Sequence, residues 1–343
     1  MREMDDAPVI IVDPQPRTLD LICDSPTRAR LEALGRLVVH EDGRMPDAIV
    51  DEHLPRAVAV VGQTTLDADR IAQAPRLRAV VNVEGNFLPN VDYEACFARG
   101  IHVLCASPAF AGAVAEWALG AAIDLCRGIT TADRLMRARR ERYQLDGNRG
   151  SFLLAGSSVG FIGFGDLARA LHALLAPFRC RIAAYDPWVP DELLQRLGVR
   201  PAGLEQVLCG SRVLFVMAAV TDENQGFLGE HELSLIPPGA AVVLASRAAV
   251  VEFDAFVELA EAGHFRAATD VFPVEPVAAD DPVRRADNVV LSPHLAGGMA
   301  EAFLEIGRLT VADLELVLRG LPPVACKRAE RETAGRLRSR PVE

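Results

Sequence analysis

Three polar residues in this 343-residue chain each close an apolar run of the kind that builds a buried parallel strand. Ala241-Val242-Val243-Leu244-Ala245 stops at Ser246-Arg247. Ala267-Ala268-Thr269-Asp270-Val271-Phe272 leads into Pro273-Val274-Glu275-Pro276, and Asn288-Val289-Val290-Leu291-Ser292-Pro293 stops at His294. Open α/β sheets place their ligands at the carboxyl ends of such strands. A guanidinium, a carboxylate and an imidazole gathered there can bind an anion and move a proton. Singly, each has a plainer reading: a helix-capping surface arginine, a loop acid, a locally satisfied turn histidine. Their joint placement downstream of a glycine loop is what points to chemistry.

That loop is Val159-Gly160-Phe161-Ile162-Gly163-Phe164-Gly165-Asp166-Leu167-Ala168, an apolar strand running through G-x-G-x-x-A into a helix. Gly163 permits a tight turn, Gly165 lets backbone approach a pyrophosphate at the helix N-terminus, and Ala168 keeps helix and strand close. Glycines also serve ordinary strand–helix turns, so the next strand matters. Arg181-Ile182-Ala183-Ala184-Tyr185 ends in Asp186, 23 residues after Gly163, the spacing at which a carboxylate meets the adenosine ribose hydroxyls. A carboxylate there repels a 2′-phosphate and selects NAD over NADP; the competing reading of Asp186-Pro187 is a plain turn. Asp166 brings a negative charge into the loop and must point outward or meet a cation such as Arg169.

Together these segments resemble the D-isomer-specific 2-hydroxyacid dehydrogenase family over about residues 58 to 322. Ser246-Arg247-Ala248 stands where the family has S-R-G, Asp270 to Pro276 matches D-V-F-x-x-E-P in full, and Pro293-His294-Leu295-Ala296-Gly297 matches its histidine segment. Ala113-Val114-Ala115-Glu116 is similar to the V-A-E helix near the family's interdomain hinge. The resemblance implies Arg247, Glu275 and His294 as the catalytic set, with Gly85 and Asn86 joining Arg247 and His294 around the substrate. It implies a NAD site built from Gly163, Gly165, Asp166, Leu167, Asp186, Ala218, Thr221, Ala245, Ser246, Asp270, Ala296 and Gly297, with Asp270 on the nicotinamide carboxamide. The implied reaction interconverts a 2-oxo acid and a D-2-hydroxy acid by hydride transfer. An arginine fork suits the substrate carboxylate better than a lysine point charge. Histidine can give a proton to the ketone oxygen or take it back, and glutamate can fix the ring's orientation. Corepressors of the same fold retain the three residues, so a NAD(H)-sensing regulatory protein is the rival reading.

Some positions depart from the family. The first-domain loop reads Gly85-Asn86-Phe87-Leu88-Pro89-Asn90-Val91-Asp92 against G-x-G-x-D-N-V-D. Phe87 is expected to narrow the approach or wall a pocket, and Glu84 to disfavour a strongly anionic substrate. No basic residue stands in Val61-Gly62-Gln63-Thr64, which turns the expectation from a phosphorylated substrate to a plain 2-oxo acid. Val216-Met217-Ala218-Ala219 replaces a histidine-proline strand end, and Ala248 replaces a glycine. Glutamate at position 275, where formate dehydrogenases of the family have glutamine, argues against that activity.

The elements that must position these residues follow a βαβα rhythm. Apolar runs recur at Val9–Val12, Leu37–Val39, Val58–Val61 and Leu77–Val83, and a second series runs from Ser157 to Pro293. Ser25-Pro26-Thr27 reads as an N-cap with a first-turn proline before Leu31, Leu34 and Leu37 on one helix face. Ala109 to Arg127 reads as a long, mostly buried helix lying between domains or in a subunit interface. Residues Arg134 to Arg149 read as an exposed charged excursion. Phe303, Ile306, Leu309, Leu314 and Leu318 mark a further helix, and the charged tail from Lys327 is expected to fray. The fold expected is α/β, with two Rossmann-like or flavodoxin-like parallel-sheet domains and a cleft between them. Residues 1–107 with 299–343 form the substrate domain and 108–298 the NAD-binding domain; no internal repeat is present.

Bulk properties agree. Half the residues are hydrophobic and 6% aromatic, which suits an aliphatic α/β interior. A formal charge of −11 argues against nucleic acid or an anionic membrane as partner, though one local cation can still hold an anionic substrate. Seven scattered cysteines without C-x-x-C spacing predict reduced packing residues and no metal site. Without a signal-peptide core or a span of 18 uncharged apolar residues, the expectation is a cytoplasmic protein that spans no membrane, a homodimer through its cofactor domain.

Overall fold

The computed structural model describes residues 7–40, 42–221 and 223–334. The chain divides into two compact units, Met1–Phe110 with Gly298–Glu343, and Ala111–Gly297.

The first unit is built on β1 (Val9–Asp13), β2 (Arg36–Val39), β3 (Ala57–Gly62), β4 (Ala79–Asn82), β5 (His102–Cys105) and β13 (Lys327–Arg328), in the order β13-β5-β4-β3-β1-β2. The first five run parallel and β13 is antiparallel to β5. β1, β3 and β4 are buried throughout, as strands covered on both faces must be. Side chains alternate across the pleat: Val9 and Ile11 enter one core cluster, Ile10 and Val12 the other. The helix Ala300–Val317 closes the second cluster with Ile306, Val311, Leu314 and Val317.

Three sequence expectations change here. The helix Ser25–Leu34 is capped by Asp24, whose carboxylate accepts from Thr27 N at 2.9 Å, so Ser25 is its first residue. Leu37 lies on β2, paired with Ile10, because the helix stops at Gly35 and the next four residues extend the sheet. The tail from Lys327 is ordered as far as Ala334: β13 pairs with β5, followed by a turn of helix at Arg331–Ala334. Buried Asp313 explains this, since its carboxylate accepts from the backbone of Val324, Ala325 and Cys326. Residues 335–343 of that tail lie outside the described residues.

The second unit holds seven parallel strands in the order β12-β11-β10-β9-β6-β7-β8. They are β6 (Ser158–Ile162), β7 (Arg181–Tyr185), β8 (Arg200–Pro201), β9 (Val213–Val216), β10 (Ala241–Leu244), β11 (Arg266–Thr269) and β12 (Val289–Leu291). The chain runs outward from β6 to β8 and returns to β9, so the order reverses between β6 and β9, the switch point where such sheets bind ligands. The helix Ala111–Arg127 packs on the helix Asp166–Leu175 and on β10 and β11 of the same unit, burying Val114, Ala115, Ala118, Ala122 and Leu125. Together with the turn before it, Ser107–Arg127 is long and apolar enough to cross a membrane, but half of it is buried in the protein. The charged excursion, Arg134 to Arg149, takes in the end of a helix, Ile129–Arg137, and a single turn, Gln144–Gly147, neither with a buried residue.

Candidate active site

The glycine loop leaves β6 as its sequence requires. Gly163 adopts φ +86°, and a Cβ there would fall 2.5 Å from Ala218 Cα, so both the turn and the packing against the end of β9 demand glycine. Gly165 caps the helix Asp166–Leu175 with open space where its Cβ would stand and no side-chain cap on the first-turn N–H groups. Half-buried Asp166 begins that helix, Leu167 follows it, and Ala168 is fully buried in the third small position. Asp186 ends β7 with Oδ2 accepting from Phe164 N at 2.6 Å and Oδ1 from Trp188 N at 2.8 Å. Each oxygen keeps a lone pair for a ribose hydroxyl. On the far side of the switch point, Asn224 pins the turn after β9 by accepting from Thr221 N and donating to Ala219 O, both at 2.7 Å. Ala245 and Ser246 are buried at the end of β10, both tied to Val216 O. An uncapped helix N-terminus, a glycine cradle and a carboxylate at the next strand fit a dinucleotide.

The three polar strand ends fall on neighbouring strands. His294 Nδ1 meets Glu275 Oε2 at 2.5 Å, while Glu275 Oε1 accepts from Phe272 N at 2.9 Å. Glu275 is therefore fixed by its own loop and in turn fixes the imidazole, leaving Nε2 to exchange a proton. His294 stands at φ +49°, a left-handed conformation that a side-chain-bearing residue holds only when its surroundings impose it. Asp270 supplies that restraint. Its carboxylate, 2% exposed, accepts from Ser292 Oγ, from Leu295 N at 3.0 Å and from Ala296 N at 2.8 Å. Ser292 and the clamp on Ala296 have no sequence signature of their own, because the bonds span more than 20 residues. Arg247, at the end of β10, is exposed and donates from Nη1 to Ser246 O at 2.7 Å. Gly297 is the last residue of this unit.

Gly85 and Asn86 belong to the first unit, in the loop after β4. Asn86 Oδ1 accepts from Phe87 N at 2.9 Å. Phe87 does not wall a pocket: its ring is 1% exposed in the core and stands edge-on to Tyr93. Replacing a family glycine there fills the interior beneath the loop. Glu84 is not a free charge either; it is buried and ion-paired with Arg17, 67 residues away and missed by sequence reasoning. The turn at Gln63 also has a cation, since Arg44 Nη1 donates to Gln63 O at 3.4 Å from the loop after β2.

Comparison with known proteins agrees with this architecture. The family model of the D-isomer specific 2-hydroxyacid dehydrogenase NAD binding domain matches residues 119–296, more than half the chain. The chain belongs to that family, and NAD is the cofactor of the matched domain. A phosphoglycerate oxidoreductase from Rhizobium etli is 44% identical, with a TM-score of 0.86 over 95% of this chain and 99% of its own. A D-3-phosphoglycerate dehydrogenase from Mycobacterium leprae is 32% identical over 77% of this chain and 49% of its own length. A glyoxylate reductase from Thermofilum pendens is 27% identical over 88% of this chain and 91% of its own. The chain thus spans about half the length of the D-3-phosphoglycerate dehydrogenases it matches.

Proposed function

We propose that the protein is a NAD-dependent oxidoreductase that interconverts a 2-oxo acid and a D-2-hydroxy acid. In this reading residues 108–298 bind the cofactor, while residues 1–107 with 299–343 contribute to the substrate site. The observation that carries it is the 2.5 Å pairing of His294 Nδ1 with Glu275 past the ends of β12 and β11, in the same sheet as the glycine loop. The cofactor, when bound, supplies or accepts the hydride. The chain's own residues do the rest. Arg247 binds the substrate carboxylate through its planar fork. His294 Nε2 donates a proton to the ketone oxygen in reduction and removes it in oxidation. Glu275 positions the ring and balances its charge, and Asp270 holds the His294 loop, keeping one lone pair for the carboxamide of the nicotinamide. Gly85 and Asn86 offer backbone and amide groups to the substrate. The NAD site takes in Gly163, Gly165, Asp166, Leu167, Asp186, Ala218, Thr221, Ala245, Ser246, Asp270, Ala296 and Gly297.

A homodimer formed through the cofactor domain is supported by apolar exposure beyond the helix Ala111–Arg127. Ile129, Met136, Tyr143, Leu145 and Leu153 are 55–80% exposed in one stretch. Seven cysteines without a disulfide suit the reducing cytoplasm. The test is the purified protein with NADH and a panel of 2-oxo acids, following loss of NADH absorbance. Oxidation with at least one acid supports the dehydrogenase; tight NADH binding with no turnover across the panel supports a NAD(H) sensor instead. Sedimentation equilibrium tests the dimer.

A further inference from the structure

The loops leaving β1 and β4, the two strands that flank β3, bring Arg17 and Glu84 into contact at the carboxyl edge of the first unit's sheet. The pair is nearly enclosed, with the Arg17 side chain 13% and the Glu84 side chain 10% exposed. The guanidinium lies 5.6 Å from the centroid of the Phe110 ring and 5.0 Å from that of Phe303. Arg17 Nε is buried without a hydrogen-bond partner, so Glu84 is the group that answers its charge. Glu84 immediately precedes Gly85-Asn86, and the face of Gly85 that would carry a Cβ lies 3.4 Å from Phe110. One aromatic ring therefore touches both the guanidinium and the proposed substrate loop. In so apolar a setting the attraction between the two charges is little screened, and neither is released cheaply.

We propose that this pair sets substrate choice: Glu84 neutralises Arg17 beside the loop, so the site takes 2-oxo acids whose C3 substituent is uncharged and discriminates against a second anionic group. The assignment rests on the dehydrogenase reading above and adds to it the chemical class of the substrate. Arg44, held on Gln63 O, stays the same in every variant below, so a change in selectivity reports the pair.

The experiment compares kcat/KM for pyruvate and oxaloacetate, which differ by one carboxylate on C3, with hydroxypyruvate and 2-oxoglutarate as a second neutral and anionic pair. Wild type is expected to favour the neutral acids. Glu84→Gln frees the cation and is expected to raise the oxaloacetate-to-pyruvate ratio about tenfold to a hundredfold, the range of one charge-assisted hydrogen bond. Arg17→Met leaves a lone carboxylate and is expected to lower the ratio. A merely structural pair would depress both acids together and leave the ratio unmoved. If Glu84→Gln does not fold, Glu84→Asp, which retracts the carboxylate by one methylene, is expected to raise the ratio by a smaller factor. A wild type that favours the anionic acids, or a ratio that moves by less than roughly twofold in the folded variants, overturns the assignment. A wild type that turns over none of the four, yet reduces glyoxylate, overturns the assignment alone; no turnover of any 2-oxo acid overturns the dehydrogenase reading and the assignment with it.

Discussion

Asp270→Asn isolates the restraint on the histidine loop. The substitution keeps size and shape but replaces one carboxylate oxygen with an NH₂ group. In the native protein the two oxygens accept from Ser292 Oγ, Leu295 N and Ala296 N. An asparagine carbonyl in place of Oδ1 keeps the first two and turns its NH₂ on Ala296 N–H. In the opposite orientation it keeps Ala296 and loses Leu295. Either way the charge is lost and one backbone N–H is left facing an NH₂ group with no acceptor, a change of about 2 kcal/mol. Hydrogen exchange of the Leu295 and Ala296 amides reads this directly, and one of them is expected to exchange roughly 30-fold faster. Because His294 is held at φ +49° within the same loop, and Asp270 is also proposed to meet the nicotinamide carboxamide, kcat should fall and KM for NADH should rise. Unchanged exchange at both amides would show that the loop is held by something other than Asp270.

Other predictions follow the same geometry. His294→Ala is expected to cut turnover by about 10²–10⁴ while leaving NADH binding nearly intact, as followed by fluorescence; retained turnover removes His294 from its role. Glu275→Gln keeps the hydrogen bond to Nδ1 without the charge, so it should lower kcat more than it raises KM. Gly163→Ala should lower unfolding free energy in urea by about 2–4 kcal/mol, because its Cβ meets Ala218 backbone and φ is +86°. Burial pushes the Cys23 thiol up to about 11 and those of Cys96 and Cys126 up to about 12. A raised pKa leaves less thiolate at any given pH, so at mildly alkaline pH a thiol reagent should label exposed Cys209 first. All seven thiols should react once the chain is unfolded; fast labelling of Cys96 in the native protein contradicts the burial.

The sequence by itself determined the elements whose signals are local. Apolar runs bounded by polar residues located β1, β3, β4, β10, β11 and β12, and G-x-G-x-x-A with Asp186 at the end of the next strand located the switch-point loop, because each signal lies within one strand or one strand–helix–strand unit. Arg247, Glu275 and His294 were legible for the same reason, as polar residues ending apolar strands. Only the tertiary structure decided how those ends are held. That Asp270 clamps Leu295 and Ala296, that Asp313 orders the tail, and that Phe87 faces the core are long-range facts without a periodic trace. The Arg17–Glu84 pair shows the physical reason most clearly. Read as a sequence, Glu84 is a lone negative charge beside the loop; folded, two strands that flank β3 bring an arginine onto it, and the local charge is cancelled.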